Sequence, residues 1–325
     1  MREQTLYSQR ANKVKVRISR PVDHIDEFDI TGDVKRFYDK LPEILTEMGI
    51  DYDVQQVGFG RKKILRDKNT LCLTWHLYGD LPDIWHLKTA YLPDYFYFDK
   101  HGYSGWSDLA KEYEYDVDIE DIRDEMQAFC DNYIASNSSR TIQPQEAFIP
   151  EEPYVLVLMQ RPGDNVMKFA HMDSQVLLDE VTELYKDTEY TVCVKSHPLS
   201  DPGLYSSDVE ITMSPEVFHA TGSIHKIIAG ATAVYTVNSG SGFEALLHGK
   251  RVFTSGDSDY HWVTTTVKNR QDLQDTMHLI EEPVNKDEIL KFLHYALNEY
   301  FININDEQQI KERIEFAISE YSKSL

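Results

Sequence analysis

The hydrophobic positions in the first half of the chain predict strands and helices in alternation. Residues 13–19 alternate between polar and apolar side chains as a half-buried strand does. Residues 33–48 carry apolar side chains at helical spacing, and Gly49 is expected to end that helix. Further strands are predicted over 51–58 and 70–77. This alternation is typical of an α/β layer.

The second half repeats the pattern with a more apolar sheet. Residues 154–160 form a continuous apolar run, which is typical of a strand buried on both faces of a parallel sheet. The elements predicted after it are a helix over 174–185, strands over 191–195 and 209–213, and helices over 223–229, 271–280 and 287–301. A terminal helix over 306–321 has an apolar face and is expected to pack back on the first domain.

The chain is long enough for two domains of ordinary size. Residues 135–153 are rich in Ser, Pro and Gln and show no periodicity, so they are interpreted as the domain boundary. The sequence therefore predicts two α/β domains, 1–150 and 151–325.

One segment of the first domain, residues 75–106, differs from the rest in composition. It holds all but one of the four tryptophans with many Tyr, His, Pro and Gly residues, and it has no sustained period. An ordered loop that lines a site is the expected structure, and aromatic rings suit the C–H faces of a sugar. The alternative is an aromatic packing layer between the domains.

The stretch 233–254 is the centre of the second domain. It is interpreted as a buried strand over 233–237, a small-residue turn over 238–242, a short helix over 243–248 and a second strand. The amino end of a helix at such a turn favours an anion, because free backbone N–H groups and the helix dipole meet there. A local alternative is a capping box formed by Ser241 and Glu244, with Gly249 as the helix stop.

Three polar loops follow predicted strands of the second domain. They are Gln160 to Asp164, Lys195 to Pro198, and Asn238 to Gly242 with Glu244. Ligands of open α/β sheets bind outside the carboxyl ends of the strands, so we expect these loops to surround one crevice.

The first two loops offer groups for chemistry on a sugar. Asp164 lies in a Pro-Gly turn and is either a turn former or the carboxylate that acts as a nucleophile or stabilises an oxocarbenium ion. His197 precedes Pro198, which fixes the backbone, so the imidazole is expected to reach a phosphate oxygen or a nucleotide sugar. The alternative for His197 is an ordinary residue at a strand end.

The third loop offers groups for a nucleotide. Ser239 and Ser241, with nearby backbone N–H groups, are suited to holding a phosphate. Glu244 lies one turn into the predicted helix and is suited to accepting hydrogen bonds from a ribose diol.

Charge excludes one class of partner. The chain has 55 acidic and 33 basic residues and a net charge of −22, which repels nucleic acid and anionic lipid. No nucleic-acid partner is therefore expected. An anionic substrate requires local cations, and Lys195, Lys250 and Arg251 are the residues expected to supply them.

Cysteine usage and hydropathy bear on location. Cys72, Cys130 and Cys193 are far apart and form no C-x-x-C pair, so buried thiols are expected instead of disulfides or a metal site. There is no apolar run of ~18 residues and no amino-terminal signal pattern. We expect a cytoplasmic protein, which leaves open peripheral association with the inner membrane or with other glycan-assembly enzymes.

Four segments carry a resemblance to a known family. They are Gln160-x-x-x-Asp164, His197-Pro198, Asn238 to Leu246, and Tyr91 to Trp106 with its Gly-Tyr-Ser-Gly-Trp end. Together they resemble the β-Kdo transferases of capsule polysaccharide and lipopolysaccharide synthesis. The resemblance covers Trp85 to Tyr260, and residues 1–80 do not share it.

The resemblance implies a fold and a reaction. The fold is of the GT-B type, with two Rossmann-like domains facing a cleft and CMP held by the second domain. The reaction is transfer from CMP-Kdo with retention at the anomeric carbon, without a metal or other cofactor. Asp164 matches the residue that forms a covalent Kdo–enzyme intermediate, and His197 matches the one that contacts CMP.

The resemblance also assigns a donor site and an acceptor. The residues expected to bind the nucleotide sugar are Gln160, Lys195, Pro198, Asn238, Ser239, Gly240, Ser241, Gly242 and Glu244. A glycan or glycolipid is the expected acceptor, and its candidate residues are His76, His86, Lys88, Asp99, Tyr103, Ser104 and Trp106. The base that activates the acceptor is not assigned, with His76 and His86 as candidates.

Three alternatives remain open. In the first alternative, the reaction class is the same but the donor is a different CMP-ulosonic acid of the sialic acid type, or a nucleoside-diphosphate sugar. A non-catalytic protein that binds or exports polysaccharide would keep the fold without the chemistry. An epimerase of the same architecture would need a second carboxylate opposite Asp164, and the sequence does not identify one.

Overall fold

The computed structural model describes residues 14–27, 29–58, 64–161, 163–197 and 216–325. The chain divides into two compact units. Unit 1 contains the described residues up to Lys111 together with Ala296–Leu325, and unit 2 contains Glu112–Tyr295. Pro198 and the strand expected over 209–213 lie outside the described residues.

The elements follow each other along the chain from unit 1 into unit 2 and back. The first are β1 (Lys15–Pro21), α1 (Val22–Glu27), α2 (Asp33–Glu47), β2 (Tyr52–Val57), β3 (Thr70–Trp75), β4 (Ile84–Thr89), β5 (Tyr95–Asp99) and α3 (Asp108–Lys111). Unit 2 begins with α4 (Ile119–Ala135), β6 (Ala147–Phe148), β7 (Tyr154–Leu158), α5 (Ser174–Tyr185), β8 (Thr191–Lys195), β9 (Phe218–His219) and β10 (Thr221–Gly222). It continues with α6 (Ile224–Gly230), β11 (Ala231–Thr236), α7 (Gly240–Leu247), β12 (Arg251–Thr254), β13 (Thr265–Thr266), α8 (Arg270–Thr276) and α9 (Lys286–His294). The chain returns to unit 1 with β14 (Ile302–Asn303) and α10 (Glu307–Ser324).

Unit 1 is built on a six-stranded sheet in the order β14-β5-β4-β3-β1-β2. Strands β2, β1, β3 and β4 run parallel, whereas β5 and β14 are antiparallel additions at one edge. The sheet and its helices share one apolar core. The terminal helix α10 belongs to it, because Ile310, Ile314 and Ile318 pack in the same cluster as Phe37 and Leu71.

The aromatic segment 75–106 is not the loop that its composition predicts. It contains β4 and β5, and the side chains of β5 are buried along the whole strand. A strand buried on both faces shows no alternation of polar and apolar residues, which is why no period of two was visible. The rings of Trp85, Phe96 and Phe98 pack in the core of unit 1.

A charged cluster ties the outer strands of unit 1 together. The side chain of Arg17 in β1 donates through Nε and Nη2 to both carboxylate oxygens of Asp53, each at 2.7 Å. Its Nη1 donates to the carbonyl of Leu65 at 2.8 Å and to Asp67 at 2.7 Å. Arg17 is nearly buried, so these bonds replace the water that its guanidinium loses on folding.

We expect the substitution Arg17→Met to lower the free energy of unfolding of unit 1 by about 2 to 4 kcal/mol, because it leaves the half-buried Asp53 with Lys15 alone. Urea titration measures this. The matched control Lys35→Met breaks an exposed pair with Asp39 and should cost less than about 0.5 kcal/mol. Equal effects of the two substitutions would show that the Arg17 cluster does not stabilise the unit.

Unit 2 is built on a parallel six-stranded sheet in the order β13-β12-β11-β7-β8-β9. The apolar run predicted as a doubly buried strand is β7, and all five of its residues are buried. The expected α/β class with parallel sheets is therefore confirmed in both units.

The two units divide at different positions from the boundary expected at residue 150. Helix α4 lies in unit 2, where Arg123 forms an ion pair with Asp287 of α9 at 2.5 Å. The Ser/Pro/Gln-rich segment after α4 is also ordered against unit 2. Its strand β6 pairs with β10, and the backbone of Glu146 accepts a hydrogen bond from Ser223. These contacts are tertiary, so the local composition of the segment does not reveal them.

Within the described part of the chain, no helix is long and apolar enough to cross a membrane.

Candidate active site

The three polar loops of unit 2 leave the sheet at one edge. Strands β8, β7 and β11 are parallel neighbours, and Leu158 is in register with both Lys195 and Thr236. The residues that follow, Gln160 and His197 among them, therefore start from the same carboxyl edge. This is the position at which open α/β sheets bind their ligands.

Asp164 and His197 lie within electrostatic range of each other. Burial lowers the pKa of His197 to about 4, the charge of Asp164 opposes this shift, and Arg161 adds to it. His197 is therefore a neutral imidazole at pH 7. Asp164 is half-buried and caps the short 3₁₀ turn at Asn165–Phe169, where its Oδ1 accepts from the backbone of Val166 at 3.5 Å.

Glu244 is a deeply buried carboxyl group at this edge, with 3% of its surface exposed. Burial raises the pKa of Glu244 to about 7, while hydrogen bonds from Ser139 and Ser241 and the charge of Arg140 hold the pKa down. Its Oε1 has no hydrogen-bond partner among the described residues. A carboxyl group with this pKa is divided between its charged and neutral forms at neutral pH.

The capping box proposed for Glu244 is not formed. Helix α7 begins at Gly240, three residues before the predicted start, and its N-cap is Ser239, whose Oγ accepts from the backbone of Ser241 at 3.4 Å. Ser241 is therefore inside the helix, and Glu244 lies beyond the first turn. Because Ser239 and not Ser241 caps the helix, residues 240–242 of the expected turn belong to α7.

Gly242 and Ser239 have packing roles. A Cβ atom on Gly242 would lie 2.7 Å from the hydroxyl oxygen of Tyr260, so the position requires glycine. That hydroxyl donates to the carbonyl of Ser239 at 2.7 Å. Because Ser239 also receives the N–H groups of Ser241 and Gly242, part of the expected anion-binding capacity of the helix end is already used.

Unpartnered oxygens mark the same edge of the sheet. Gln160 and Asn238 are 5% and 3% exposed, and their side-chain oxygens have no hydrogen-bond partner within the described part of the chain. The amide nitrogen of Asn238 donates to the carbonyls of Val166 and Asp257, so the side chain is fixed. Buried polar atoms are nearly always hydrogen-bonded, and with Glu244 these exceptions indicate a place for a polar ligand.

The cations at this edge differ from those expected. Lys250 donates to the carbonyls of Ala229 and Ala231, and Arg251 donates to the main chain at residues 282 and 283. Arg251 begins β12, which places it at the amino edge of the sheet, opposite the candidate site. Lys195 is at the carboxyl edge, but burial lowers the pKa of its amino group.

The cation that the sequence did not identify is Arg140. Its charge lowers the pKa values of both His197 and Glu244, and its neighbour Ser139 bonds to Glu244. Both residues come from the segment interpreted as a linker. A Ser-Ser-Arg sequence in a polar stretch has no periodicity to distinguish it, so no local signal marked these residues.

Two of the candidate acceptor residues are structural. His86 is buried in β4, where its ring nitrogens bond to Thr74 at 3.1 Å and to the carbonyl of Gly79 at 3.2 Å. Burial lowers the pKa of His86 to about 4. Asp99 is buried at the end of β5 and accepts three backbone N–H groups and the hydroxyl of Tyr300. Both side chains are thus engaged in hydrogen bonds within unit 1.

The other candidate acceptor residues form one aromatic cluster in unit 1. Its centre is the buried Tyr103, which contacts the rings of His76 and Trp106 and lies under the ammonium group of Lys88, 4.7 Å from the ring centroid. Ser104 follows in the chain with a buried side chain. His76 and Lys88 belong to the carboxyl ends of two parallel strands, β3 and β4.

One group of side chains in the described part of the chain has the spacing of a metal site. It consists of Asp99, His101 and Asp108. The oxygens of Asp99 already accept the hydrogen bonds given above, and Nδ1 of His101 lies 2.5 Å from Asp108. These bonds tie the end of β5 to the turn and the helix α3 that follow it.

Comparison with solved structures identifies the fold. The KpsC β Kdo 2,4 transferase from Thermosulfurimonas dismutans is 15% identical, aligns over 94% of this chain and 98% of its own, and gives a TM-score of 0.52. The β Kdo 2,7 transferase of the same organism's KpsC is 16% identical over 94% of this chain and 98% of its own, with a TM-score of 0.48. None of the curated proteins compared matches the chain. The chain has the GT-B fold of glycosyltransferases, as the sequence predicts.

The family follows from the sequence itself. Residues 89–303, more than half of the chain, match the family described as capsule polysaccharide biosynthesis protein. The chain belongs to this family, and the family-level resemblance found in its motifs is confirmed.

Proposed function

We propose that this protein is a retaining glycosyltransferase that transfers Kdo from CMP-Kdo to a glycan of the cell surface. Membership of the capsule polysaccharide family and the fold shared with a β-Kdo transferase support the proposal. The observation that carries it is that Asp164 and His197 follow the neighbouring parallel strands β7 and β8 at the carboxyl edge of unit 2, within electrostatic range of each other.

The proposed reaction has two displacements. In the first, a carboxylate oxygen of Asp164 attacks the anomeric carbon of Kdo, the bond from that carbon to the phosphate oxygen breaks, and CMP leaves with the electron pair. In the second, the acceptor hydroxyl attacks the same carbon, the bond to Asp164 breaks, and the hydroxyl proton passes to a base. Two inversions give net retention.

The donor is proposed to occupy the edge defined by Gln160, His197 and Glu244. His197 is neutral at pH 7, so it can donate one hydrogen bond to a phosphate oxygen without an ion pair. The unpartnered oxygens of Gln160, Asn238 and Glu244 are acceptors, which suits the hydroxyls of a ribose or the amino group of cytosine.

The acceptor is proposed to be a glycan or glycolipid held by unit 1. The cluster around Tyr103 supports this, because Trp106 is half-exposed with Tyr78 stacked on one face of its ring at 3.9 Å, and an aromatic pair of this kind packs against the C–H groups of a sugar. Lys88 supplies a charge for an anionic glycan. With a glycolipid acceptor the protein would work as a peripheral protein at the cytoplasmic face of the inner membrane, beside other glycan-assembly enzymes.

A donor panel tests this function. We expect the purified protein to release CMP from CMP-Kdo, and more slowly from CMP-sialic acid, with no release of UDP from UDP-sugars. EDTA should leave the rate unchanged, because the proposed transfer needs no metal. Release from UDP-sugars alone would overturn the donor assignment. Failure with every donor, for a protein shown to be folded, would favour a non-catalytic polysaccharide-binding or export protein.

A further inference from the structure

The segment between α4 and β7 is held firmly against unit 2. Ser223, the N-cap of α6, donates through Oγ to the side-chain oxygen of Asn137 at 2.5 Å. The backbone N–H of Ile224 donates to Oε1 of Gln143 at 3.0 Å, and the amide of Asn137 donates to the carbonyl of Pro144 at 2.9 Å. The segment is therefore a docked loop, and we call residues 137–140 the docked turn.

Two histidines fix the carbonyl in the middle of the docked turn. Nε2 of His225 lies 2.6 Å from the carbonyl oxygen of Ser138, and a carbonyl only accepts, so Nε2 carries the proton. Nδ1 of His225 lies 3.0 Å from Nε2 of His248. Burial lowers the pKa values of both histidines, which keeps them neutral. Nδ1 therefore accepts from His248, and the hydrogen-bond chain has one defined direction.

The docked turn ends at Arg140, a cation within electrostatic range of the candidate site. Ser138 is linked through His225 to His248, which follows Glu244 by one helical turn at the end of α7, so the docked turn lies against the side of α7 that carries Glu244. The next residue, Arg140, is close enough to act electrostatically on His197 from β8 and on Glu244 from α7. These two residues are proposed to contact different parts of a nucleotide. Lys250 and Arg251 donate to main-chain carbonyls away from this edge, whereas the charges of Arg140 and Arg161 both act on His197.

We propose that Arg140 binds an anionic group of the donor, its phosphate or its carboxylate, and that His225 is the positioning residue that holds the docked turn in place. The proposal rests on the nucleotide-sugar donor assigned above. A guanidinium suits either group, because it offers two parallel N–H donors to a pair of oxygens. A chain of net charge −22 needs such a cation to bind an anion at all.

Calorimetric titration with CMP and with cytidine tests the role of Arg140. We expect Arg140→Ala to weaken CMP binding roughly 10- to 100-fold, and Arg140→Lys to weaken it less, with cytidine binding unchanged. If Arg140 holds the carboxylate instead, CMP binding stays constant while the KM for CMP-Kdo rises by a similar factor. The matched control Lys226→Met removes an exposed cation of the same unit and should change neither quantity.

The outcomes separate the two proposals. Wild-type protein that binds UDP in place of CMP would refute the donor assignment, and the same comparison made with UDP would then decide the role of Arg140. Unchanged nucleotide binding and unchanged KM in both Arg140 variants would overturn the inference while leaving the transferase intact. Wild-type protein that binds neither nucleotide would refute both.

The positioning role of His225 has its own test. We expect His225→Ala to raise the donor KM several-fold with little change in kcat, because the chemical groups remain but the docked turn is loosened. His225→Gln should restore most of the affinity, since its amide N–H can donate to the carbonyl of Ser138. Equal losses of thermal stability in both variants with an unchanged KM would show that His225 only supports the fold.

Discussion

Replacing Asp164 with asparagine is expected to reduce transfer from CMP-Kdo by roughly 10³-fold or more, because an amide cannot form the proposed ester with the anomeric carbon. The fold should survive, since the asparagine side-chain oxygen can still accept from the backbone of Val166. The measurement is the initial rate of CMP release at saturating donor, with thermal unfolding as the check on folding.

The control for this variant is Asp187→Asn. Asp187 is an exposed carboxylate in the turn after α5 of the same unit, so its loss changes the net charge by the same amount. Activity of this control should stay within about twofold of wild type. A folded Asp164→Asn protein that keeps more than a tenth of the activity would exclude Asp164 as the nucleophile.

Replacing Glu244 with glutamine is expected to change how stability depends on pH. Burial raises the pKa of Glu244 to about 7 in the folded protein, above the value of roughly 4.3 in an unfolded chain. Between about pH 4.3 and pH 7, the folded protein therefore keeps a proton on Glu244 that the unfolded chain has lost. This stabilisation is fully present below pH 4.3 and is lost as the pH rises through 7.

The full size of this effect is about 4 kcal/mol, because the two pKa values differ by about 2.7 and one pKa unit corresponds to about 1.4 kcal/mol. Urea unfolding at pH 5 and pH 8.5 should show that wild type loses more stability than Glu244→Gln as the pH rises. The exposed Glu189→Gln serves as control and should follow wild type at both values. A stability difference between Glu244→Gln and wild type that is the same at both pH values would show that Glu244 is an ordinary carboxylate.

The edge that carries the candidate site was largely predictable from sequence because its elements follow local rules. A continuous apolar run such as β7 indicates a buried parallel strand, and the polar residues after it must then emerge at the carboxyl edge. The same reasoning applies to β8 and β11. The parallel register aligns Leu158, Lys195 and Thr236. Gln160, His197 and Asn238 each follow two positions later, so they emerge side by side at this edge.

The aromatic strands were not predictable in the same way. Strands β4 and β5 are buried on both faces, so their sequence carries neither alternation nor an apolar run free of Tyr, His and Lys. The partners of His86 and Asp99 come from loops and from Tyr300 near the other end of the chain. Burial of polar groups by such distant partners leaves no local pattern, so both residues resembled binding residues.

The docked turn was missed for a related reason. Its bonds join Asn137 and Ser138 to residues at the start of α6, 86 and 87 positions later in the chain. A Ser- and Pro-rich composition is equally typical of linkers. Lys250 and Arg251 were misplaced for a different reason, because they precede the second strand predicted within 233–254 and the edge rule already places such residues at the amino edge. Both follow α7 in sequence, yet the start of β12 turns them to the amino edge of the sheet.

Intact-protein mass spectrometry after brief incubation with CMP-Kdo tests the central claim most directly. The proposed mechanism predicts a Kdo-sized mass increase on the wild-type chain, its absence from Asp164→Asn and Asp164→Ala, and its location in the peptide that contains Asp164. An adduct that persists in both Asp164 variants, or rapid transfer with no adduct on any trapped wild-type sample, would contradict a covalent intermediate on this residue.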